Sequence, residues 1–140
     1  MRIPASRFQN NRGGIYRIPQ LGYTEGVLQF PFNTPSYADT AQAPYAEYDI
    51  DLQQGDSRIE IRTLPTLHVY DGRDERFAVQ VGDAEPHVFS IHADDFTAEW
   101  RWNVLRGYAS RFVPVSATGR QRLRIYLLDP GIVLQEILIH

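Results

Sequence analysis

The chain has 140 residues, a formal charge of −3 and 43% hydrophobic residues, enough for one domain with an ordinary core. It has no cysteine, which excludes disulfide staples, thiolate metal sites and cysteine nucleophiles. All fourteen basic residues are arginines, spread from Arg2 to Arg124 without the one-sided excess of a nucleic-acid binder. No apolar run approaches the ~20 residues of a membrane span, so neither nucleic acid nor membrane is expected as a partner.

From the N-terminus, the first third to Tyr45 is rich in Pro, Gly, Asn and Gln, with strand candidates at Ile15–Ile18 and Gly26–Phe32. Pro31 marks the second as an edge strand or a strand exit, and Asn33–Pro44 reads as a loop. Tyr45–Leu52 then alternates cleanly, with Glu47, Asp49 and Asp51 on one face and Tyr48, Ile50 and Leu52 on the other. A turn at Gln54-Gly55-Asp56 leads to Ser57–Leu64, with Ile59 and Ile61 inward and Arg58, Glu60 and Arg62 outward. Asp71–Asp74 is a further turn. Phe77–Val81 and Val88–Ile91 follow as strands about a turn at Asp83–Pro86. Leu123–Leu128 and Val133–Ile139 end the chain, divided by Asp129-Pro130-Gly131. Arg120, Arg122 and Arg124, spaced by two, read as the solvent face of a strand. Short strands at regular spacing with turn residues between them predict an all-β, jelly-roll-like sandwich over residues 1–140.

One segment breaks the rhythm. In Asp94–Arg111, Trp100, Val104 and Tyr108 stand at helical spacing and Gly107 supplies a stop, which predicts a helix of one to two turns or a long ordered loop. Of the aromatics, Tyr48, Phe77, Phe89 and Tyr126 fall on inward faces, whereas Trp102, Tyr23, Tyr37 and Tyr70 are the candidates for an exposed contact.

Catalytic constellations are hard to find. His68, His87, His92 and His140 form no metal-binding pair of the usual spacing, and His92-Ala93-Asp94 is the best remaining source of metal ligands. No serine sits in a Gly-x-Ser-x-Gly elbow, and no glycine-rich loop opens a helix. Asp49 and Asp51 share the outer face of one strand, unlike two glycosidase carboxyls facing each other across a cleft. The expectation is a module without a catalytic centre, cofactor or metal.

Ile61-Arg-Thr-Leu-Pro-Thr-Leu67, Arg76-Phe-Ala-Val-Gln-Val81, Glu99-Trp-Arg-Trp-Asn-Val-Leu-Arg106 and Leu123–Ile139 follow one another in an order that resembles the C-terminal domain of family 115 glycoside hydrolases. Ala5-Ser-Arg-Phe8 and Leu21-Gly-Tyr23 extend the likeness towards the N-terminus. The resemblance implies a β-sandwich module of the galactose-binding-like kind, attached to an α-glucuronidase that removes glucuronic or 4-O-methylglucuronic acid from xylan. Its catalytic residues would lie upstream, and the module would support dimerisation or the substrate cleft. Such a parent protein would be extracellular or periplasmic. The chain is also similar to carbohydrate-binding families 6 and 35. Pro4-Ala5-Ser6 stands where those modules carry the Glu-Ala-Glu of a calcium site, and Leu134-Gln135 stands where they carry an Asn-Asp sugar-binding pair.

Two uses of the helical excursion stay open. Trp102, Asn103 and Arg106, with Tyr70, face either the upstream catalytic domain or homodimer partner, or a xylan or acidic oligosaccharide in a lectin-like site. In the second case Trp102 stacks on a sugar and Arg106 pairs with a uronate. Otherwise Trp100 and Trp102 only anchor the segment over one end of the sandwich.

Overall fold

The computed structural model describes residues 1–30, 33–66 and 74–140. Phe32, His68, Tyr70 and most of the Asp71–Asp74 turn lie outside them, as do the end of the Gly26–Phe32 strand and Leu67 of the first resemblance motif. In chain order the strands are β1 (Arg2–Pro4), β2 (Asn10–Arg12), β3 (Tyr16–Ile18), β4 (Val27–Gln29), β5 (Tyr45–Leu52), β6 (Arg58–Thr63), β7 (Arg76–Val81), β8 (His87–Ser90), β9 (Ala109–Pro114), β10 (Gly119–Leu127) and β11 (Val133–Ile139). A single α-helix among the described residues, α1 (Ala98–Arg106), lies between β8 and β9, and a 3-10 turn at Ala5–Arg7 follows β1. No described helix is long and apolar enough to cross a membrane.

The strands form two antiparallel sheets. The first runs β3-β4-β11-β6-β9 with β1 also paired to β11, and the second runs β2-β5-β10-β7-β8. Alternation fixes which side of each strand is buried, because a one-residue slip would turn the apolar set to solvent. Tyr48, Ile50 and Leu52 of β5, Phe77 and Val79 of β7 and Leu123, Ile125 and Leu127 of β10 meet Ile59, Ile61, Leu134, Ile137 and Ile139 of the first sheet in one core. Each fully buried side chain of this size contributes about 1.5–3 kcal/mol of transfer free energy. The Tyr48 hydroxyl keeps a partner inside this core by donating to the Ala5 carbonyl at 2.7 Å, which ties the N-terminal turn to β5. Burial raises the hydroxyl pKa far above its ordinary value, so it stays a donor.

The structure corrects several expectations. Tyr126 is buried, but not with the inward residues of β10. It pairs with Tyr45 on the outer face of the second sheet, in a separate cluster with Ala43, Ala78 and Leu128 beneath Tyr37. The strand expected from Leu123 begins at Gly119, which brings Arg120 and Arg122 into it. The C-terminal part of the helical excursion is strand β9, and β1 and β2 were not expected at all. Phe89 is half-buried, its ring 5.6 Å from that of Phe77 at the edge of the core.

Candidate functional site

Helix α1 starts where the sequence provides a cap. Thr97 Oγ1 accepts from the Trp100 N–H at 3.3 Å and donates to the Asp94 carbonyl at 2.7 Å. Glu99 in the first turn and Arg106 in the last complement the helix dipole. The stop is Gly107, in the left-handed region at φ 77°, whose N–H returns to the Asn103 carbonyl at 2.9 Å. A side chain there would also run into Tyr23, whose hydroxyl donates to the Arg106 carbonyl at 2.8 Å. Helix end and strap Leu21–Thr24 therefore hold each other. Phe96 precedes the cap with φ 64°, rare for a bulky side chain, and packs its ring 5.1 Å from Trp100 at a tilt of 51°.

The apolar residues of α1 are not all turned inward. Trp100 and Asn103 approach Pro65, Thr66 and Ile91, whereas Ala98, Arg101, Trp102 and Leu105 line a shallow depression of about 210 Å³ on the outside. Trp102 is 65% exposed and Leu105 78%. The indole of Trp102 is a ridge between that depression and a larger one of about 560 Å³ lined by Glu99, Asn103, Arg106 and Tyr108.

The second depression is built from fixed groups. Arg106 Nε donates to the Tyr108 carbonyl at 2.8 Å, and Nη2 donates to Asn103 Oδ1 at 2.8 Å. Its guanidinium lies 4.6 Å from the centre of the Tyr108 ring, and Arg62 lies 4.1 Å from the same centre. Asn103 is buried, with its side chain spent on orienting Arg106, so it floors the site rather than projecting from it. Arg106 is half-buried, and Tyr70 lies outside the described residues. Of the other exposed candidates, Tyr23 is engaged with the helix end and Tyr37 leans on the outer cluster. Sequence reading missed Leu105 as an exposed residue and misplaced Tyr108, which follows the helix stop rather than continuing its stripe. The glycine was the signal that could have separated them.

Arg62 continues this stack into a buried ionic network on the outer face of the first sheet. It donates to Glu60 at 2.7 Å and to Glu136 at 3.0 Å, and Arg2 Nε lies 3.1 Å from Glu136. Ser110 donates to Glu60 at 2.9 Å, and His140 Nε2 is 2.9 Å from it. Burial alone would push the Glu60 carboxyl up, but the hydrogen bonds from Arg62, His140 and Ser110 outweigh it and hold it below the usual carboxylate range. Both carboxylates are committed to structure. His92 lies between Asp94, at 3.2 Å, and Glu75, at 3.7 Å. Among the described residues no group of three His, Cys, Asp or Glu side chains could hold a metal ion.

At the two positions compared with carbohydrate-binding modules, Ala5 is buried with its carbonyl on Tyr48, and Leu134 and Gln135 are both buried within β11. The family model described as the glycosyl hydrolase family 115 C-terminal domain matches residues 2–140. This chain belongs to the family 115 C-terminal domains. A solved family 115 4-O-methyl-α-glucuronidase with specificity for decorated arabinogalactans is similar to this domain at 25% identity and a TM-score of 0.79. That match covers 100% of this chain and 17% of the other. The domain thus spans about a sixth of its neighbour's length. The C-terminal family 6 carbohydrate-binding module of a laminarinase from Zobellia galactanivorans aligns at 15% identity and a TM-score of 0.60, covering 98% of this chain and 95% of that one. A family 35 module from Clostridium thermocellum aligns at 15% identity and a TM-score of 0.64, covering 99% and 97%. These two similarities establish the β-sandwich fold. No curated protein matches the sequence.

Proposed function

We propose that this family 115 C-terminal domain is a single non-catalytic accessory module of a xylan α-glucuronidase, and that it docks through α1 against the rest of that enzyme, in its own chain or in a partner subunit. The carrying observation is the outward stripe of α1. A helix this short normally turns its apolar residues to the core, yet here Trp102 and Leu105 are 65% and 78% exposed and line one outer depression together. Exposed apolar residues gathered in one place mark interaction surfaces. The length of the family neighbour, of which this domain matches 17%, supplies a large body to cover the stripe. On this reading the parent's chemistry belongs elsewhere, and the domain alone turns over no uronic-acid-decorated xylan.

Light scattering on the purified domain, alone and mixed with the remainder of a family 115 enzyme, tests the docking. Association that is lost in Leu105→Asp, with an unchanged circular dichroism spectrum, is the expected result. A domain that stays monomeric and unbound in both samples would sink the proposal.

A second reading, a lectin-like module for xylan or acidic oligosaccharide, draws support from the polar side of the Trp102 ridge. There an exposed indole stands one helical turn from an oriented guanidinium.

A further inference from the structure

We propose that the depression between Trp102, Arg106 and Tyr108 binds a pyranose ring carrying a carboxylate, with the ring on the indole and the carboxylate on the end of the guanidinium. The proposal rests on the carbohydrate reading above and assigns its site and ligand class. It also places the ligand on the outside of α1, whereas Leu134 and Gln135 are buried within β11.

The Arg106 guanidinium has five N–H donors in a fixed plane. One, on Nε, is taken by the Tyr108 carbonyl, and one, on Nη2, by Asn103 Oδ1, both at 2.8 Å. Those bonds use the side of the fork nearest the chain and leave the pair formed by Nη1 and Nη2 to accept a bidentate carboxylate. The two bonds, with the Tyr108 ring centre 4.6 Å from the guanidinium, orient the fork before any ligand arrives. Arg106 has no carboxylate partner among the described residues. The acid that shares its depression, Glu99, is held by Arg111 at 3.1 Å. The site therefore presents one ordered, uncompensated positive charge.

The second component is a flat apolar surface at the right remove. Trp102 precedes Arg106 by four residues, so both project from the same side of α1, and the indole is 65% exposed. Pyranose rings stack their C–H faces on indole, and a carboxylate substituent on the ring rim then reaches outward towards a group one turn along. The volume, about 560 Å³, falls in the range of small-molecule sites, roughly 300–1,000 Å³. Tyr108 completes the lining. A neutral sugar gains the stacking without the charge-assisted pair, so discrimination between acid and ester is the property that identifies the site.

The test is a titration of the purified 140-residue domain with methyl glucuronoside, its methyl ester and methyl xyloside, followed by tryptophan fluorescence and calorimetry. The acid should bind at least tenfold more tightly than the ester or the xyloside, and added salt should weaken only the acid. Trp102→Ala should abolish binding. Arg106→Lys, which keeps the charge but not the planar fork, should weaken the acid about tenfold while the domain stays folded by circular dichroism, its melting temperature lowered by the lost bonds to Tyr108 and Asn103. Equal affinity for acid and ester would overturn the role of Arg106. Acid binding that survives Trp102→Ala would place the sugar elsewhere and leave the carbohydrate reading standing without this site. If none of the sugars binds, both fall, whereas the docking proposal, read by mass without sugar, is untouched.

Discussion

The outer faces of the two sheets carry the same alternating acidic sequence, closed over by charged side chains on the first and open to water along Asp49 and Asp51 on the second. On the first sheet, Glu60 and Glu136 stand outward on β6 and β11 and are 4% and 2% exposed. On the second, Asp49 and Asp51 stand outward on β5, directly opposite Arg122 and Arg120 of β10, and all four are exposed. The difference lies in what crosses each face. Arg62, Arg2 and His140 close over the two glutamates, with Tyr108 stacked on Arg62. Alternation in a strand decides which way a side chain points. Segments distant in sequence decide whether that direction leads to water.

The largest way to break the contrast is to remove Arg62. Arg62→Met would leave two buried carboxylates without their shared cation, and breaking a buried pair costs about 3–5 kcal/mol. Urea denaturation should show the loss, and most of it should return when Glu60→Gln and Glu136→Gln are added. A loss below about 1 kcal/mol would mean that water reaches both carboxylates and that the two faces are alike after all.

The same network sets a pH dependence. Glu60 and Asp129 both titrate below the ordinary range. For each, burial acts upward and is outweighed, for Asp129 by hydrogen bonds from Arg76 and Ser36. A depressed folded-state pKa gives stability that is present above the unfolded value and lost as pH falls through the folded one. The urea midpoint should therefore hold from pH 7 to about 5 and fall steeply below about 4. Glu60→Gln should flatten part of that fall.

A smaller effect probes the helix that carries the candidate site. Gly107→Ala forces a Cβ into the left-handed region and against Tyr23, costing about 1–2 kcal/mol. If the helix end and the strap Leu21–Thr24 hold each other, Tyr23→Phe should lower stability by about 1 kcal/mol and should make Gly107→Ala less costly. Simple additivity in that double-mutant cycle would separate the two segments.

How far the sequence was legible follows the same division. Tyr45–Leu52 and Val133–Ile139 were found at their observed bounds because each is long, apolar on one face and closed by turn residues. Strand β9 was hidden by an inverted pattern. Phe112 points outward at 43% exposure, while Arg111 takes the inward register beside Ile61 and survives there at the sheet edge by donating to the Ser90 carbonyl and to Glu99. Tyr126 looked like core because it is aromatic in an apolar strand, and only the loop 33–44 folding back explains its burial on the other face. At the candidate site, Trp102 and Arg106 were legible from residue type and helical spacing. The clamp that orients Arg106 was not, since it needs the chain to turn at Gly107 and bring the Tyr108 ring and carbonyl back beneath the guanidinium.

The smallest expected effect sharpens the comparison from the wet side. Asp51 and Arg120 face each other across β5 and β10, as Glu47 and Arg124 do four residue pairs along the same ladder. Only the second pair is closed, with Arg124 donating to Glu47 at 2.6 Å where Tyr45 lies 4.7 Å beneath the guanidinium and Glu47 is 7% exposed. Identical register thus yields one ordered pair and one solvated pair, and the covering aromatic is what separates them. A double-mutant cycle on Asp51 and Arg120 should give a coupling within about 0.5 kcal/mol of zero that disappears in salt. The cycle on Glu47 and Arg124 should give a larger coupling that persists, and Tyr45→Ala should reduce it towards the value of the exposed pair. Equal couplings in both cycles would mean that register alone, rather than the segments lying over the sheet, sets the strength of these cross-strand charges.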